Sequence, residues 1–387
     1  MQPRPKIAFV TPGAFPLPSP NSGSVERVVE KLAPLLTPAV QVSIYGRTSR
    51  SLPRRSMLNG VSCLRFPAAS KQKYITSVGR SLRQLAPDIT SVENRPRTVL
   101  RLTRFRPHSR IWLQLHSNTF ISQKSIPSFI LSRCLHQAEK IIVNSEFLRE
   151  DVARRVPECA HKINVIYPGV ETERFISQYS PEGMRKREQL RQTRGWQGRS
   201  VVLFMGRLIP IKGVHHLLRM MPALIKEHPS VLLVIVGGAF YGSKRTTPYV
   251  RGLHRSGKKL RQHVKFIPYA PYTDVPDWFL GADVAVVPSG AREAFGLVNV
   301  EAMSAGLPVV AARSGGMQEI IQHGHTGFLV DPLRIEEEMR HYVLTLLRDD
   351  KLRQRMGKHG RERVENCFTW QHSAERWLEL LRESGVL

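Results

Sequence analysis

Four charged side chains stand where apolar runs of the sequence give way to glycine-containing loops. Arg207 and Lys212 lie in GRLIPIKG, just after the run Val201–Met205, and Glu293 and Glu301 lie in EAFGLVNVE, shortly after Val284–Val287. Arginine supplies a planar fork of donors and lysine a point charge, so the first pair suits phosphate oxygens. Gly206 lets the backbone bend close to a ligand. A carboxylate accepts hydrogen bonds from two neighbouring hydroxyls at once. Two carboxylates eight residues apart therefore suit a molecule with a polyol on each side of a phosphate centre. Between them, Phe295-Gly296-Leu297 opens an expected helix that runs to about Ser304, and the free N–H groups of a helix start attract anions. Helical side chains lean toward the N-terminus, so Glu301 reaches back to that end. Two further candidates lie earlier: Gly23, in a Pro/Gly-rich loop before a helix near Ser24, and His116, which ends the run Ile111–His116. Each has a plain alternative as surface charge, helix cap, structural loop or packing histidine. What singles these residues out is their common position after strands.

Those strands are short runs rich in Val and Ile, as parallel strands covered on both faces require. One set is Lys6–Thr11, Gln41–Tyr45, Ile111–His116, Lys140–Asn144 and Ile163–Tyr167. The second is Val201–Met205, Val231–Val236, Val264–Ile267, Val284–Val287 and Val309–Ala312. Helical periodicity intervenes: Val25, Val28, Val29, Leu32 and Leu36 share one face, as do Leu217, Met220, Met221 and Leu224. The alternation implies a doubly wound α/β architecture, in which ligands bind outside the carboxyl ends of the strands. The basic, strand-free stretch Ser177–Ser200 separates the two sets. The expected division is a first domain at 1–180, a linker at 181–200, a second domain at 201–367 and a terminal helix at 368–387 carrying Trp377, Leu378, Leu380 and Leu381.

The chain has 387 residues, 41% apolar, with 58 Lys and Arg against 31 Asp and Glu, a formal charge of +27. Such a charge excludes an acidic solvating protein and favours anionic partners. Four scattered cysteines without a C-x-x-C pair speak against a zinc ribbon or a disulfide scaffold and fit a reducing compartment. No run matches a signal-peptide core or a bilayer span, so a cytoplasmic protein is the expectation. The turn Val236–Gly242 is not G-x-G-x-x-G, which weakens a dinucleotide dehydrogenase. The sequence also lacks a P-loop, an Asp-x-Asp pair, metal-ligand spacing and a G-x-S-x-G elbow.

Read together, the segments GRLIPIKG, ADVAVVPS, the E-x7-E segment Glu293–Glu301 with its internal FG, EAMSAGLPVVAARSGG and HGHTGFLVDP resemble the retaining glycosyltransferases of family 4. The first half is similar through NSGSVERVVEKLAPLL, KIIVNSEFLREDV and INVIYPGVETERF, and NRPRTVLRL and HSNTF resemble coat-associated members of spore formers. The resemblance implies the GT-B fold, two Rossmann-like doubly wound α/β domains facing each other across a cleft. It implies a UDP- or GDP-linked sugar donor, a hydroxyl acceptor on a glycan or glycolipid, and no cofactor or metal. By position, Arg207 and Lys212 then contact the donor diphosphate, Glu293 the donor sugar hydroxyls, and Glu301 the ribose diol. Gly206 and the backbone of Phe295, Gly296 and Leu297 complete the donor site. His116 lies near the transferred sugar, and Gly23 on the acceptor side. Three positions depart from the family pattern: Ser22-Gly23-Ser24 in place of paired glycines, Gln114-Leu115-His116 in place of His-x-His, and Pro268 where many members carry glycine.

From Tyr45 to Arg110, 15 Lys or Arg face only two acids, Asp88 and Glu93. Within it, Lys71–Ala86 reads as a basic amphipathic helix, either lying on an anionic membrane or packing on the sheet. An anionic acceptor is a further reason for the charge. A nucleic-acid binder is disfavoured, since the region lacks interleaved aromatics. A non-catalytic coat protein with the same fold, and a phosphorylase-like or epimerase relative, remain competing readings.

Overall fold

Val- and Ile-rich runs flanked by helices form parallel strands because only a sheet covered on both faces buries their continuous apolar surface. The computed structural model describes residues 4–18, 24–240, 245–290 and 293–387. The chain divides into one unit of Met1–Pro168 with Trp370–Leu387 and a second of Gly169–Thr369.

The first unit holds β1 (Lys6–Val10), β2 (Gln41–Arg47), β3 (Arg55–Leu58), β4 (Val61–Phe66), β5 (Ile89–Glu93), β6 (Arg110–Leu115), β7 (Lys140–Val143) and β8 (Ile163–Val165). They form one sheet in the order β3-β4-β2-β1-β5-β6-β7-β8, in which only the β3–β4 pairing is antiparallel. The strand order reverses at β1 and β5, which makes their carboxyl ends a topological switch point. Three of these strands, β3, β4 and β5, were not anticipated from the sequence. Their polar residues break the apolar runs that marked the others.

The second unit holds β9 (Ser200–Met205), β10 (Val231–Val236), β11 (Val264–Ile267), β12 (Val284–Val287), β13 (Val309–Ala312) and β14 (Gly327–Val330). The sheet order is β11-β10-β9-β12-β13-β14, and every pairing is parallel. All six residues of β10 are buried. Here the order reverses at β9 and β12, the strands that precede the two charged loops.

One sequence expectation changes, and of two open alternatives for the helix near Lys71 the packed one is observed. The stretch 181–200 is not a free linker. Pro181–Thr193 is a helix of the second unit, capped by Ser180. Arg187 donates to the carbonyl oxygen of Leu280 at 2.6 Å and to Asp283 at 2.5 Å, and Arg191 donates to Asp283 at 3.2 Å. Arginine forks rather than an apolar face hold this helix, so the sequence shows a weakly helical basic stretch but not its packing into the second unit. The helix Lys71–Leu85 spends its apolar side inside the first unit: Tyr74, Ile75, Val78, Gly79 and Leu82 are buried. The Tyr74 hydroxyl donates to the carbonyls of Tyr45 at 3.0 Å and Thr11 at 3.2 Å. Its exposed residues are Lys71, Gln72, Lys73, Arg80, Arg83 and Gln84, all polar or basic, so no apolar face is left to enter a bilayer. Among the described residues, no helix is long and apolar enough to cross a membrane.

The helix Trp370–Glu383 belongs to the first unit. Its Trp377, fully buried, lies 5.3 Å from the Phe9 ring and 5.2 Å from the Trp112 ring, centroid to centroid. Leu380 and Leu381 join the same core with Ile7, Val29 and Leu36.

Candidate functional site

At the switch point of the second sheet, close backbone approaches set the geometry. Gly237 has φ +144°, and a Cβ there would fall 1.9 Å from the Gly206 carbonyl oxygen. The loop after β9 can therefore lie against the end of β10, with Leu208 N–H donating to the Gly238 carbonyl at 2.9 Å. The loop then makes a short 3₁₀ turn, Pro210–Lys212, which ends at Gly213 with φ +72°. A Cβ on Gly213 would meet the Pro288 carbonyl oxygen at 2.0 Å. Gly290 N–H donates to the Ile211 carbonyl at 2.8 Å. The loops after β9 and β12 are thereby stitched together.

That stitching brings Lys212 to Glu293, and the Lys212 ammonium forms an ion pair with Glu293 Oε2. The Glu293 backbone is held in turn: its carbonyl accepts from Gly316 N–H at 3.0 Å. A Cβ on Gly315 would fall 1.9 Å from the same oxygen. Gly296, at φ +94°, caps the start of the helix Leu297–Ser304. Its absent Cβ would lie 3.5 Å from Glu293 Cγ, so carboxylate and helix start are immediate neighbours. Glu301 sits inside this helix, 7% exposed. Phe295 is buried, its ring 5.8 Å from that of Phe368. Arg207 is exposed on the same loop as Lys212. Lys212, Glu293 and the helix start thus converge, with Arg207 on one of the stitched loops and Glu301 one turn into the helix.

Sequence reasoning missed two polar groups here. Ser289 is 1% exposed and Asn299 0% exposed, and neither Ser289 Oγ nor Asn299 Oδ1 has a hydrogen-bond partner among the described residues. Asn299 Nδ2 donates to the Gly296 carbonyl at 3.0 Å. Both lie within segments that carry the resemblance, ADVAVVPS and the E-x7-E segment, but a serine or an asparagine there gives no chemical signal by itself.

The first unit has its own polar cluster at the carboxyl edge. His116 follows β6, and its Nε2 lies 2.8 Å from Glu93 Oε2 at the end of β5. Glu93 Oε1 accepts from Ser91 Oγ at 2.8 Å. Asn94 Oδ1 accepts from His116 N–H at 3.3 Å, and Asn144 Nδ2 donates to the His116 carbonyl at 3.2 Å. Arg95 lies over the Phe120 ring, 3.6 Å from its centroid. Glu26, on the helix Ser24–Leu36, is also buried. Burial raises its carboxyl above the usual range, against the opposing pull of the backbone N–H groups of Glu26 and Phe15 and of neighbouring Arg95 and His116. Burial likewise lowers Arg95, opposed by Glu26. Of these residues only His116 was singled out from sequence. Glu93 carried a usable signal, as one of two acids in a strongly basic region. Gly23 lies outside the described residues.

In the second unit a cation and a helix start side by side suit an anion such as a diphosphate, and the neighbouring Glu293 carboxylate suits hydroxyls. Among the described residues no group of three or more His, Cys, Asp or Glu gathers as a metal site would.

Comparison with known proteins adds to this geometry. Residues 186–363 match the family model for glycosyl transferases group 1, and residues 25–174 match that for glycosyltransferase family 4. The chain is 30% identical to spore coat protein SA of Bacillus subtilis (strain 168) over 379 residues, 98% of this chain and 100% of that protein. It is 31% identical to the YtcC protein of the same strain over 371 residues, 96% of this chain and 90% of that one. Among solved structures, Anabaena Alr3699/HepE in complex with UDP superposes with a TM-score of 0.78 at 23% identity, covering 98% of this chain and 100% of that one.

Proposed function

The chain belongs to the group 1 and family 4 glycosyltransferases of the GT-B fold, and from that premise we propose that it moves a hexose from a nucleoside-diphosphate sugar to an acceptor hydroxyl with retention at the anomeric carbon. The observation that carries the reading is the convergence of Lys212, Glu293 and the Gly296 helix start at the switch point of the second sheet. The UDP held by the HepE structure supports a nucleotide-linked donor.

In this reading Arg207, Lys212 and the N–H groups at Phe295, Gly296 and Leu297 take the diphosphate, with Gly206 giving room for its approach. Glu293 holds sugar hydroxyls and Glu301 the ribose diol. The bond from the anomeric carbon to the diphosphate oxygen breaks, and its electron pair leaves with the diphosphate. The acceptor oxygen bonds to the same face of the carbon, and its proton passes to the departing diphosphate. Charge grows on the leaving group, so preorganised cations and N–H groups lower the barrier, each by about 3 kcal/mol. This scheme uses no cofactor and no metal. His116 is assigned to the neighbourhood of the transferred sugar and Gly23 to the acceptor side. The +27 charge and the exposed basic face of Lys71–Leu85 support an anionic acceptor, a glycan or a lipid-linked phosphate. The proposed place of action is the cytoplasm, at its membrane face or in the spore.

The name of the full-length relative, a spore coat protein, favours one second reading, a coat-associated protein that keeps the fold without turnover. Transfer assays with UDP-, GDP- and ADP-hexoses and a mixed hydroxyl acceptor pool separate the two. Product with the donor's anomeric configuration supports the enzyme. Nucleotide binding without sugar release or transfer supports the coat reading.

A further inference from the structure

His116 is committed at every polar atom but one. Its N–H donates to Asn94 Oδ1, its carbonyl accepts from Asn144 Nδ2, and its Nε2 faces Glu93 Oε2 at 2.8 Å. Nδ1 makes no hydrogen bond among the described residues. The Glu93 side chain is 0% exposed and that of His116 is 5% exposed. The other Glu93 oxygen is occupied by the Ser91 hydroxyl at 2.8 Å. A carboxylate that already accepts at one oxygen meets a ring nitrogen best as an acceptor again, so the proton of the pair sits on Nε2. The partner of one ring nitrogen sets what the other can do.

We propose that Glu93 is a positioning residue, whose buried carboxylate holds His116 in the Nε2–H form so that Nδ1 is presented as a hydrogen-bond acceptor to a substrate hydroxyl. The inference rests on the glycosyltransferase reading only for the identity of that hydroxyl, which belongs to the acceptor or the transferred sugar. The ring orients the hydroxyl and is not required to remove its proton. Three neighbouring strands build the device: Ser91 and Glu93 on β5, His116 just after β6, and Asn144 just after β7. Adjacent parallel strands end side by side, so the ring is fixed by rigid elements rather than by a loop alone.

Two measurements test this. In protein labelled with ¹⁵N-histidine, the His116 ring nitrogens, assigned through His116→Ala, report the proton position in the unaltered chain. The expected result is a protonated Nε2 and an unprotonated Nδ1. A proton on Nδ1 with none on Nε2 overturns the proposal, whatever the protein catalyses. The second is a double-mutant cycle read in sugar transfer. Glu93→Gln is expected to lower kcat on the order of 100-fold with donor KM unchanged. The same substitution made in His116→Ala is expected to change kcat less than threefold, because Glu93 acts through the ring. Equal losses in both backgrounds overturn the proposal. Ser91→Ala, a milder change, is expected to move kcat in the same direction by a smaller factor. If the ring signals are as expected and the unaltered protein transfers no sugar from any nucleotide donor, the positioning role stands and the enzymatic reading falls.

Discussion

Lys212 and Glu293 are 81 positions apart in the sequence and meet as an ion pair at the ends of neighbouring strands. Each is about a fifth exposed, at 21%, so the pair is shielded but reachable. The contact follows from the hydrogen bond between Gly290 and Ile211 and from the absence of a Cβ on Gly213. The glycine next to Lys212 therefore helps to set the aim of that charged side chain.

Removing the cation is expected to cost turnover. Lys212→Ala and Arg207→Ala should each lower kcat by about 100-fold or more, the usual effect of deleting one preorganised donor to a developing negative charge. Steady-state transfer kinetics on the best donor check this. Unchanged kcat in both variants removes their assigned role.

Glu301 is expected to act in binding rather than turnover. Hydrogen bonds to a charged group are worth about 1.5–3 kcal/mol. Glu301→Ala should therefore weaken nucleoside-diphosphate affinity by roughly 10–100-fold. Calorimetric titration with UDP, GDP and ADP measures the change and names the base in the same experiment.

Gly213→Ala tests the stitched loops. The new Cβ would collide with the Pro288 carbonyl oxygen, 2.0 Å away, at a backbone φ of +72°. The strain of such a conformation alone is about 1–3 kcal/mol. A lower thermal midpoint is expected, with transfer falling as Lys212 loses its place beside Glu293. Circular dichroism melts and kinetics on one preparation read both effects.

Trp377→Ala should destabilise the first unit by about 3–5 kcal/mol, the range for deleting a fully buried large aromatic. The ring touches both Phe9 and Trp112. Denaturant unfolding followed by tryptophan fluorescence gives the value.

Glu26 gives a pH test. Burial raises its carboxyl above the ordinary 4.5, so between 4.5 and the raised folded value the folded chain binds more protons than the unfolded one. The stability linked to the neutral acid is full below 4.5 and is lost as pH rises through the folded value. Glu26→Gln should therefore melt higher than the unaltered protein near neutral pH, and the gap should close toward pH 4. Melts across pH 4–8 reveal it; a gap that widens toward acid refutes the sign.

Much of this architecture could be read from sequence, and the exceptions have physical causes. Uniform apolar runs such as VLLVIV and VVLFM announced β10 and β9, because a strand buried on both faces admits few polar residues. ITSVE did not announce β5, since its Thr, Ser and Glu interrupt the apolar pattern, and Ser91 and Glu93 are satisfied in the interior by bonding to each other and to His116. The Lys212–Glu293 neighbourhood was readable as a motif, yet the glycines that enforce it act through contacts between loops more than 70 residues apart. Helix Pro181–Thr193 looked like a tether because its anchors are arginines, and a hydropathy reading counts those as solvent-facing.

The Phe9–Trp112–Trp377 cluster also sets a schedule for biosynthesis. The first unit's own core waits for Trp377, which is translated only after the whole of Gly169–Thr369. At about 5–20 residues per second, the ribosome takes roughly 10–40 s over that stretch. Until then the Phe9 and Trp112 rings lack the partner that covers them in the folded unit.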